Sequence, residues 1–131
     1  MRLRCPSLAA LIRPGQFLML RLGGTTDPLL GRPFALYDTV LDSSGEPAAL
    51  DVVYLVVGKM TARLACVRPG EVLEAWGPLG NGFPDLPGCE HVALVAGGIG
   101  QTPFLAHARD LLGARGYGGR PPRRVARKVS L

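Results

Sequence analysis

The sequence predicts a β-rich fold followed by the start of an α/β unit, and three observations support this. The 131 residues include 18 glycines and 12 prolines without a G-X-Y period, which is typical of short strands joined by many turns. Short apolar runs separated by turn signals continue to about residue 88, and this spacing favours a small antiparallel barrel or sandwich. From His91 onward, a continuous apolar run, a glycine-rich stretch and a helical pattern follow one another. We therefore predict an antiparallel β barrel over residues 1–88 and the first, incomplete part of a nucleotide-binding α/β domain over residues 89–131.

The first region contains alternating strand and turn patterns with one helical segment. Hydrophobic residues make up 47% of the chain and charged residues 19%, so a packed core is expected. In chain order, the patterns predict a strand at Phe17–Leu22, an extended piece at Arg32–Tyr37, a strand at Leu50–Val57, a short helix at Thr61–Val67 and a strand at Glu71–Trp76.

The pattern of the second region predicts a strand, a glycine-rich turn and a helix, in that order. Val92–Ala96 is a strand that is apolar on both faces, and Phe104–Leu112 has apolar residues at helical spacing. Thr102 is a natural N-cap and Pro103 a natural first helical residue, while Val125–Leu131 is a candidate second parallel strand. Two parallel strands cannot bury both faces of a sheet. We therefore expect either a partner that completes the sheet or a chain that is a fragment.

The net charge of +5 is concentrated at one end of the chain. The residues before Arg109 have a net charge of −1, and the residues from Arg109 onward have a net charge of +6. Such a basic tail can bind phosphate, but no aromatic platform or recognition motif accompanies it, so nucleic-acid binding is not favoured.

Cysteine and histidine usage excludes several classes of site. Cys5, Cys66 and Cys89 are far apart and form no C-x-x-C pair, which fits a reduced, cytoplasmic compartment. His91 and His107 are too scattered for a zinc cluster. No apolar run approaches the about 18 residues needed to cross a bilayer.

Four segments are candidates for binding sites. A glycine-rich turn between strand and helix, at residues 97–100, can admit a phosphate or can simply pack tightly. Arg32 beside Pro33 can offer a fixed fork to a diphosphate, although an edge strand with a surface arginine is the commoner reading of these residues alone. Gly58 with Thr61 can serve a second phosphate. The loop at residues 76–84 is either a hinge or a seat for a ligand. No set of side chains suits acid–base or nucleophilic catalysis, so any chemistry requires a cofactor.

Five motifs in this order resemble the ferredoxin–NADP reductase superfamily. They are PGQF, GRPFALYD, VVYLVVGKMT, GEVLEAWGPLGNGFP and VALVAGGIGQTPFLAHA, between about Pro14 and Leu112. More narrowly, they resemble the electron-transfer subunit of NAD-dependent dihydroorotate dehydrogenase, which acts in bacterial pyrimidine synthesis. GPLGNGF followed by GGIG at this spacing is the most specific part of the resemblance.

The resemblance implies an FAD-binding barrel followed by an NAD-binding half. It implies electron transfer from dihydroorotate through FMN in a catalytic partner subunit, a [2Fe–2S] cluster and FAD to NAD, in a hetero-oligomer. For this chain it implies FAD contacts from Arg32, Pro33, Phe34, Ala35, Val53, Tyr54, Leu55, Met60 and Thr61, and dinucleotide contacts from Gly97, Gly98, Gly100, Thr102 and Pro103.

The chain departs from the family pattern within the motifs and at both ends. Ala35 replaces a Ser or Thr, Leu55 an Arg and Met60 a Gly. The first family strand, before Pro14, is missing or replaced, and the cysteines that ligate the [2Fe–2S] cluster are absent. Two alternatives stay open beside a truncated electron-transfer subunit. One is another NAD(P) or flavin reductase subunit of the superfamily, and the other is a binding module without flavin chemistry.

Overall fold

The computed structural model describes residues 1–131, and it contains eight strands and three α-helices. The strands are β1 (Arg2–Arg4), β2 (Phe17–Leu22), β3 (Arg32–Ala35), β4 (Asp38–Leu41), β5 (Pro47–Asp51), β6 (Leu73–Leu79), β7 (His91–Ala93) and β8 (Lys128–Ser130). The helices are α1 (Pro6–Leu11), α2 (Lys59–Ala65) and α3 (Phe104–Leu111), and a single 3₁₀ turn covers Gly98–Gln101. None of the helices is long and apolar enough to cross a membrane.

The strands form three separate sheets. Two antiparallel sheets have the orders β1-β5-β4 and β3-β2-β6, and β7 pairs in parallel with β8. The predicted antiparallel strands and the parallel pair that follows them are therefore confirmed. No strand pairing joins the two antiparallel sheets, so the closed barrel stays a prediction.

The main core lies on the inner faces of the two antiparallel sheets. Leu18 and Leu20 alternate along β2 and are fully buried, as the period of two along a strand requires. Ala106 of α3 and Tyr117 also belong to this core, so the second region packs against the first. Val92, Leu111 and Ala126 form a smaller core beneath the parallel pair. The predicted boundary at residue 88 stays a prediction.

The sequence located several elements well. The β2 strand has the predicted bounds, α3 ends one residue before the predicted end, and the β8 strand lies inside the predicted segment. The α2 helix begins two residues before the predicted start. Residues 1–13, which the resemblance left without a family strand, contain β1 and α1, and β4 is a further strand that sequence patterns missed.

Three local predictions are wrong. The predicted strand Val92–Ala96 ends at Ala93, and Val95 is 89% exposed, because β7 pairs with β8 alone and only one face of that short pair is covered. The predicted strand Leu50–Val57 ends at Asp51, because no neighbouring strand pairs with residues 53–57 and a run of β-branched residues is not a strand without a partner. Thr102 is not the N-cap of α3. The 3₁₀ turn extends to Gln101, the Thr102 N–H donates to the Ile99 carbonyl, and Pro103 becomes the N-cap.

Candidate functional site

Most of the predicted cofactor residues line a single cleft of about 490 Å³, which we call the first cleft. Its walls are the strand β3, the extended segment 53–57 and the beginning of α2, and its edge is formed by Thr102 and by Ile99 of the glycine turn (residues 97–101). Ten of the fourteen predicted residues line it, namely Arg32, Pro33, Phe34, Ala35, Val53, Tyr54, Leu55, Met60, Thr61 and Thr102. Gly97, Gly98, Gly100 and Pro103 do not line this cleft.

The β3 wall is fixed by backbone pairing to β2. Leu18 lies opposite Phe34 and Leu20 opposite Arg32 in the antiparallel register. The Arg32 guanidinium is exposed and donates only to the Leu30 and Gly31 carbonyls, at 3.2 and 3.1 Å. No carboxylate lies within ion-pair distance of Arg32, so its charge is available to a ligand.

The opposite wall, residues 53–57, has few fixed contacts. The backbone N–H groups of residues 53–56 have no hydrogen-bond partner, and Leu55 and Val57 are 55% and 81% exposed. Tyr54 packs edge-to-face on Phe34, with 5.5 Å between ring centroids. Burial raises the pKa of the Tyr54 hydroxyl. The wall thus lines the first cleft with mainly apolar residues, and its backbone N–H groups at residues 53–56 are not used within the protein.

The third wall is the beginning of α2. The Thr61 hydroxyl accepts the N–H groups of Val57 and Gly58 at 3.0 and 3.1 Å, so it caps the helix and does not extend freely into the cleft. Met60 is 4% exposed and belongs to the main core, so its side chain is mostly withdrawn into the protein. Lys59 pairs with Asp27 and lowers the pKa of that carboxyl. Lys59 is also a cation of the cleft that motif comparison did not single out, although it lies within the quoted VVYLVVGKMT segment.

A second cleft of about 400 Å³ adjoins the first and shares Val53, Ile99 and Thr102 with it. It lies near the carboxyl ends of the parallel strands β7 and β8, where ligands bind in open α/β sheets. Thr102 is 6% exposed, and its hydroxyl has no hydrogen-bond partner within the protein. A side chain with an unused hydroxyl therefore stands where the two clefts meet.

The glycine turn has room beside it. A Cβ atom at Gly97 or Gly98 would meet nothing within 4 Å, and at Gly100 only the Ala96 Cβ, at 4.0 Å. Gly98 has a φ of +56°, which favours glycine. Tight packing of strand against helix therefore does not require glycine at these three positions, and none of the three lines the first or the second cleft. Ile99, which lines both clefts, was missed because an isolated apolar residue in a glycine-rich stretch carries no sequence signal.

The loop at residues 76–84 supports the fold and does not line the first cleft. The Gln16 amide donates to the Gly80 carbonyl at 2.8 Å, and the Phe83 N–H donates to the Pro14 carbonyl at 3.0 Å. The Phe83 ring stacks on His107 of α3, with 4.2 Å between centroids. Thus the PGQF and GPLGNGF motifs pack together, and the loop connects them to α3.

The cysteines do not form a metal site. Cys5, Cys66 and Cys89 are unpaired. No group of three or more His, Cys, Asp or Glu side chains is placed to hold a metal ion.

Comparison with known proteins identifies relatives among flavin-dependent electron-transfer proteins. The chain is 40% identical over 112 residues to the electron transfer subunit of dihydroorotate dehydrogenase B (NAD⁺) from Desulforamulus reducens, a match covering 85% of this chain and 41% of the relative. The corresponding subunit from Bacillus caldolyticus is 38% identical over 101 residues, a match covering 76% of this chain and 38% of the relative. The chain is a homologue of these electron-transfer subunits. The resemblance found in the motifs is therefore confirmed.

Solved structures agree with this relationship. An NADH-dependent reduced ferredoxin–NADP oxidoreductase, described for flavin-based electron bifurcation, aligns with a TM-score of 0.60 and 27% identity over 82% of this chain and 37% of its own. The Amycolatopsis cytochrome P450 reductase GcoB shares the fold, with a TM-score of 0.58 and 22% identity over 86% of this chain and 38% of its own. No family model matches the sequence. The chain spans about two fifths of the length of the relatives it matches.

Proposed function

We propose that the first cleft binds FAD, and that the chain is part of a flavoprotein electron-transfer subunit. In this proposal the subunit passes electrons between a dihydroorotate-oxidising partner and NAD, in pyrimidine biosynthesis in the cytoplasm. The main support is that ten residues drawn from three separate motifs line one cleft. The homology to dihydroorotate dehydrogenase electron-transfer subunits supports the reaction.

The residues of the first cleft suit FAD in both charge and shape. Its volume of about 490 Å³ lies within the range of about 300–1,000 Å³ usual for ligand pockets. In the proposed complex Arg32 binds the diphosphate, and Pro33, Phe34 and Ala35 line one side of the flavin. The other side of the flavin is lined by Val53, Tyr54 and Leu55, and the end of the cleft at α2 is formed by Met60 and Thr61. Bound FAD supplies the redox chemistry, and the protein supplies orientation and electrostatics.

The second cleft is proposed to receive the nicotinamide end of NAD. Gly97, Gly98 and Gly100 leave open space beside the turn, and Pro103 holds the start of α3 next to Thr102. The two clefts share three residues, so ligands in both would lie side by side. The division into a barrel over residues 1–88 and a nucleotide-binding part over residues 89–131 belongs to the same proposal.

The proposed partner of the chain is a catalytic subunit that oxidises dihydroorotate. The relatives are electron-transfer subunits, which supports a hetero-oligomer with an FMN-containing catalytic subunit. The residues present do not fit a [2Fe–2S] cluster, because the three cysteines are not grouped. No step through such a cluster is assigned to this chain.

The test is an absorbance spectrum of the purified chain from 300 to 600 nm, with added FAD, followed by gel filtration. Flavin bands that stay with the protein are the expected result. The Arg32→Ala variant is expected to bind FAD about 10–100-fold more weakly, the loss of one charge-assisted hydrogen bond. Arg68→Ala, which removes an exposed arginine outside the first cleft, is the matched control and should bind like the unaltered chain. A colourless protein, or equal affinity in Arg32→Ala, contradicts the proposal.

A second candidate is another reductase of the same superfamily. The similarity to a ferredoxin–NADP oxidoreductase favours it. Copurification with a dihydroorotate-oxidising subunit supports the first candidate, and NADH-dependent flavin reduction without such a partner supports the second. A binding module without flavin chemistry is favoured by Ala35, which offers no hydroxyl to a flavin ring. A chain that folds but never retains flavin would establish that alternative.

A further inference from the structure

Asp38 is a buried carboxylate that does not line either cleft. Its side chain is 7% exposed, and its Oδ1 accepts the Thr39 N–H at 2.9 Å and the Tyr117 hydroxyl at 2.7 Å. The Arg115 guanidinium lies 3.5 Å from the same oxygen, and Arg109 donates to Oδ2. The buried carboxylate thus pairs with two arginines and accepts hydrogen bonds from two further donors, which compensates its negative charge.

The partners of Asp38 come from distant parts of the chain. Asp38 begins β4, three residues after Ala35 of the first cleft. Arg109 belongs to α3, which follows directly on the glycine turn and Thr102, and Arg115 and Tyr117 lie just beyond that helix. The network therefore connects β4, which follows β3 of the first cleft along the chain, to the helix that follows the glycine turn and Thr102.

Apolar packing alone would fix the position of α3 relative to β4 less well than the Asp38 network does. Ala106 and Tyr117 enter the main core, but apolar contacts are non-directional and allow a helix to slide or rotate by small amounts. Hydrogen bonds between charged groups have defined geometry and hold one arrangement. Burial, together with the Asp38 carboxylate, raises the pKa of Tyr117, so its hydroxyl remains a donor throughout the usual pH range.

We propose that Asp38 is a positioning residue whose carboxylate holds α3, and with it the glycine turn, against the first cleft. The flavin readout of this inference rests on the proposed function, whereas the network and its effect on the turn do not. The prediction is that weakening the network loosens residues 97–112 and leaves the pairing of β2 with β3 intact.

The experiment is hydrogen exchange followed by mass spectrometry on the full chain without ligand. Asp38→Asn keeps the size of the side chain and removes the charge that binds Arg109 and Arg115. Amides of the glycine turn and α3 are expected to exchange about tenfold faster or more, the ratio given by one lost charge-assisted hydrogen bond. Amides of β2 and β3 are expected to exchange at unchanged rates.

Asp42→Asn is the matched control. Asp42 follows the same strand, and its carboxylate accepts the N–H groups of Ser44 and Glu46 at 2.9 and 3.0 Å within the local turn. That variant should loosen only this turn. Tyr117→Phe removes one donor without removing the charge, and it should change exchange of α3 in the same direction by a smaller factor. It keeps the test decisive if Asp38→Asn does not fold.

A second experiment measures how accessible bound flavin is to a quencher. With FAD bound, Asp38→Asn should make the flavin fluorescence more accessible to iodide quenching, because the edge of the cleft opens. If the unaltered chain binds no FAD, the proposed function fails, while the exchange experiment still decides the role of Asp38. If FAD binds but exchange and quenching match the unaltered chain in both the Asp38 and Tyr117 variants, the positioning role is overturned and the proposed function stands.

Discussion

The two long walls of the first cleft are built in opposite ways. The β3 wall is held by continuous antiparallel pairing to β2, whose inward residues are fully buried. The wall at residues 53–57 has no sheet partner, and its backbone donors at residues 53–56 are unbonded. One side of the cleft is therefore held in place by the sheet, and the other side has backbone donors and exposed side chains that are not engaged within the protein. A rigid wall would fix the position of a bound ligand, and an adaptable wall would add contact area with that ligand.

Leucine substitutions on the two sides give the largest expected contrast. Leu18→Ala empties a fully buried position beneath the β3 wall and should lower the free energy of unfolding by about 2–5 kcal/mol. Leu55→Ala removes a side chain that is 55% exposed, and its effect should stay within about 0.5 kcal/mol. Urea unfolding measures both. Equal losses would mean that the wall at residues 53–57 is as firmly packed as β3.

Gly31, directly before β3, and Gly58, directly after the wall at residues 53–57, give the next contrast. A Cβ at Gly31 would lie 2.5 Å from Trp76 Cη2 and 3.0 Å from the Leu20 carbonyl, so Gly31→Ala should cost about 1–3 kcal/mol through overpacking. Gly58 has open space and an extended backbone, with a φ of −165°. Gly58→Ala should leave thermal unfolding nearly unchanged while it weakens FAD binding. A stable Gly31→Ala protein would show that the β3 wall adapts as well.

This contrast also explains how far the sequence could predict the fold. The pattern of β2 gave correct bounds, because alternation reports the burial of one face and β2 lies between two partners. Residues 53–57 have strong β-branched character, yet they form no strand, because pairing depends on a neighbour that local residues do not encode. The capping of α3 was predicted wrongly for a different reason: the 3₁₀ turn runs up to the helix and uses the Thr102 N–H, so Thr102 ends the turn and does not cap the helix.

The candidate site was predictable where it follows motifs and unpredictable where it depends on tertiary contacts. Arg32 and its neighbours were found from the resemblance, and they share a cleft with Val53 and Met60. Ile99 and the network around Asp38 were not found, because their partners are far away in sequence. Asp38 and Tyr117 are separated by 79 residues, and no periodicity connects them.

The stability of the folded chain should depend on pH through His107, a buried residue of α3. Burial lowers the pKa of His107 below its ordinary value of 6.5, and its Nδ1 is buried without a partner. The unfolded chain therefore takes up the proton first, so the free energy of unfolding should fall as pH drops below about 6.5 and level off below the folded-state pKa. Urea unfolding between pH 5 and about 8 measures this.

His107→Phe should remove that dependence while it keeps the ring that stacks on Phe83. His91→Asn is the matched control, because His91 is exposed and the chain has only two histidines, so this variant should retain the dependence. Burial raises the pKa of Asp110, so its effect on the free energy of unfolding has the opposite sign and begins at its ordinary value of 3.8. A dependence that persists in His107→Phe would assign the effect to another group.

The smallest expected effect lies where the two clefts meet. Thr102→Val keeps the shape of a 6% exposed side chain and removes a hydroxyl without a protein partner, so unfolding should change by no more than about 0.5 kcal/mol. If a ligand uses that hydroxyl, FAD or NADH binding weakens about 2–10-fold, the range of one neutral hydrogen bond. Thr26→Val, in an exposed loop outside both clefts, is the control. Unchanged affinity for both ligands in Thr102→Val would place the ligands on the two long walls alone and leave the glycine turn as a spacer between them.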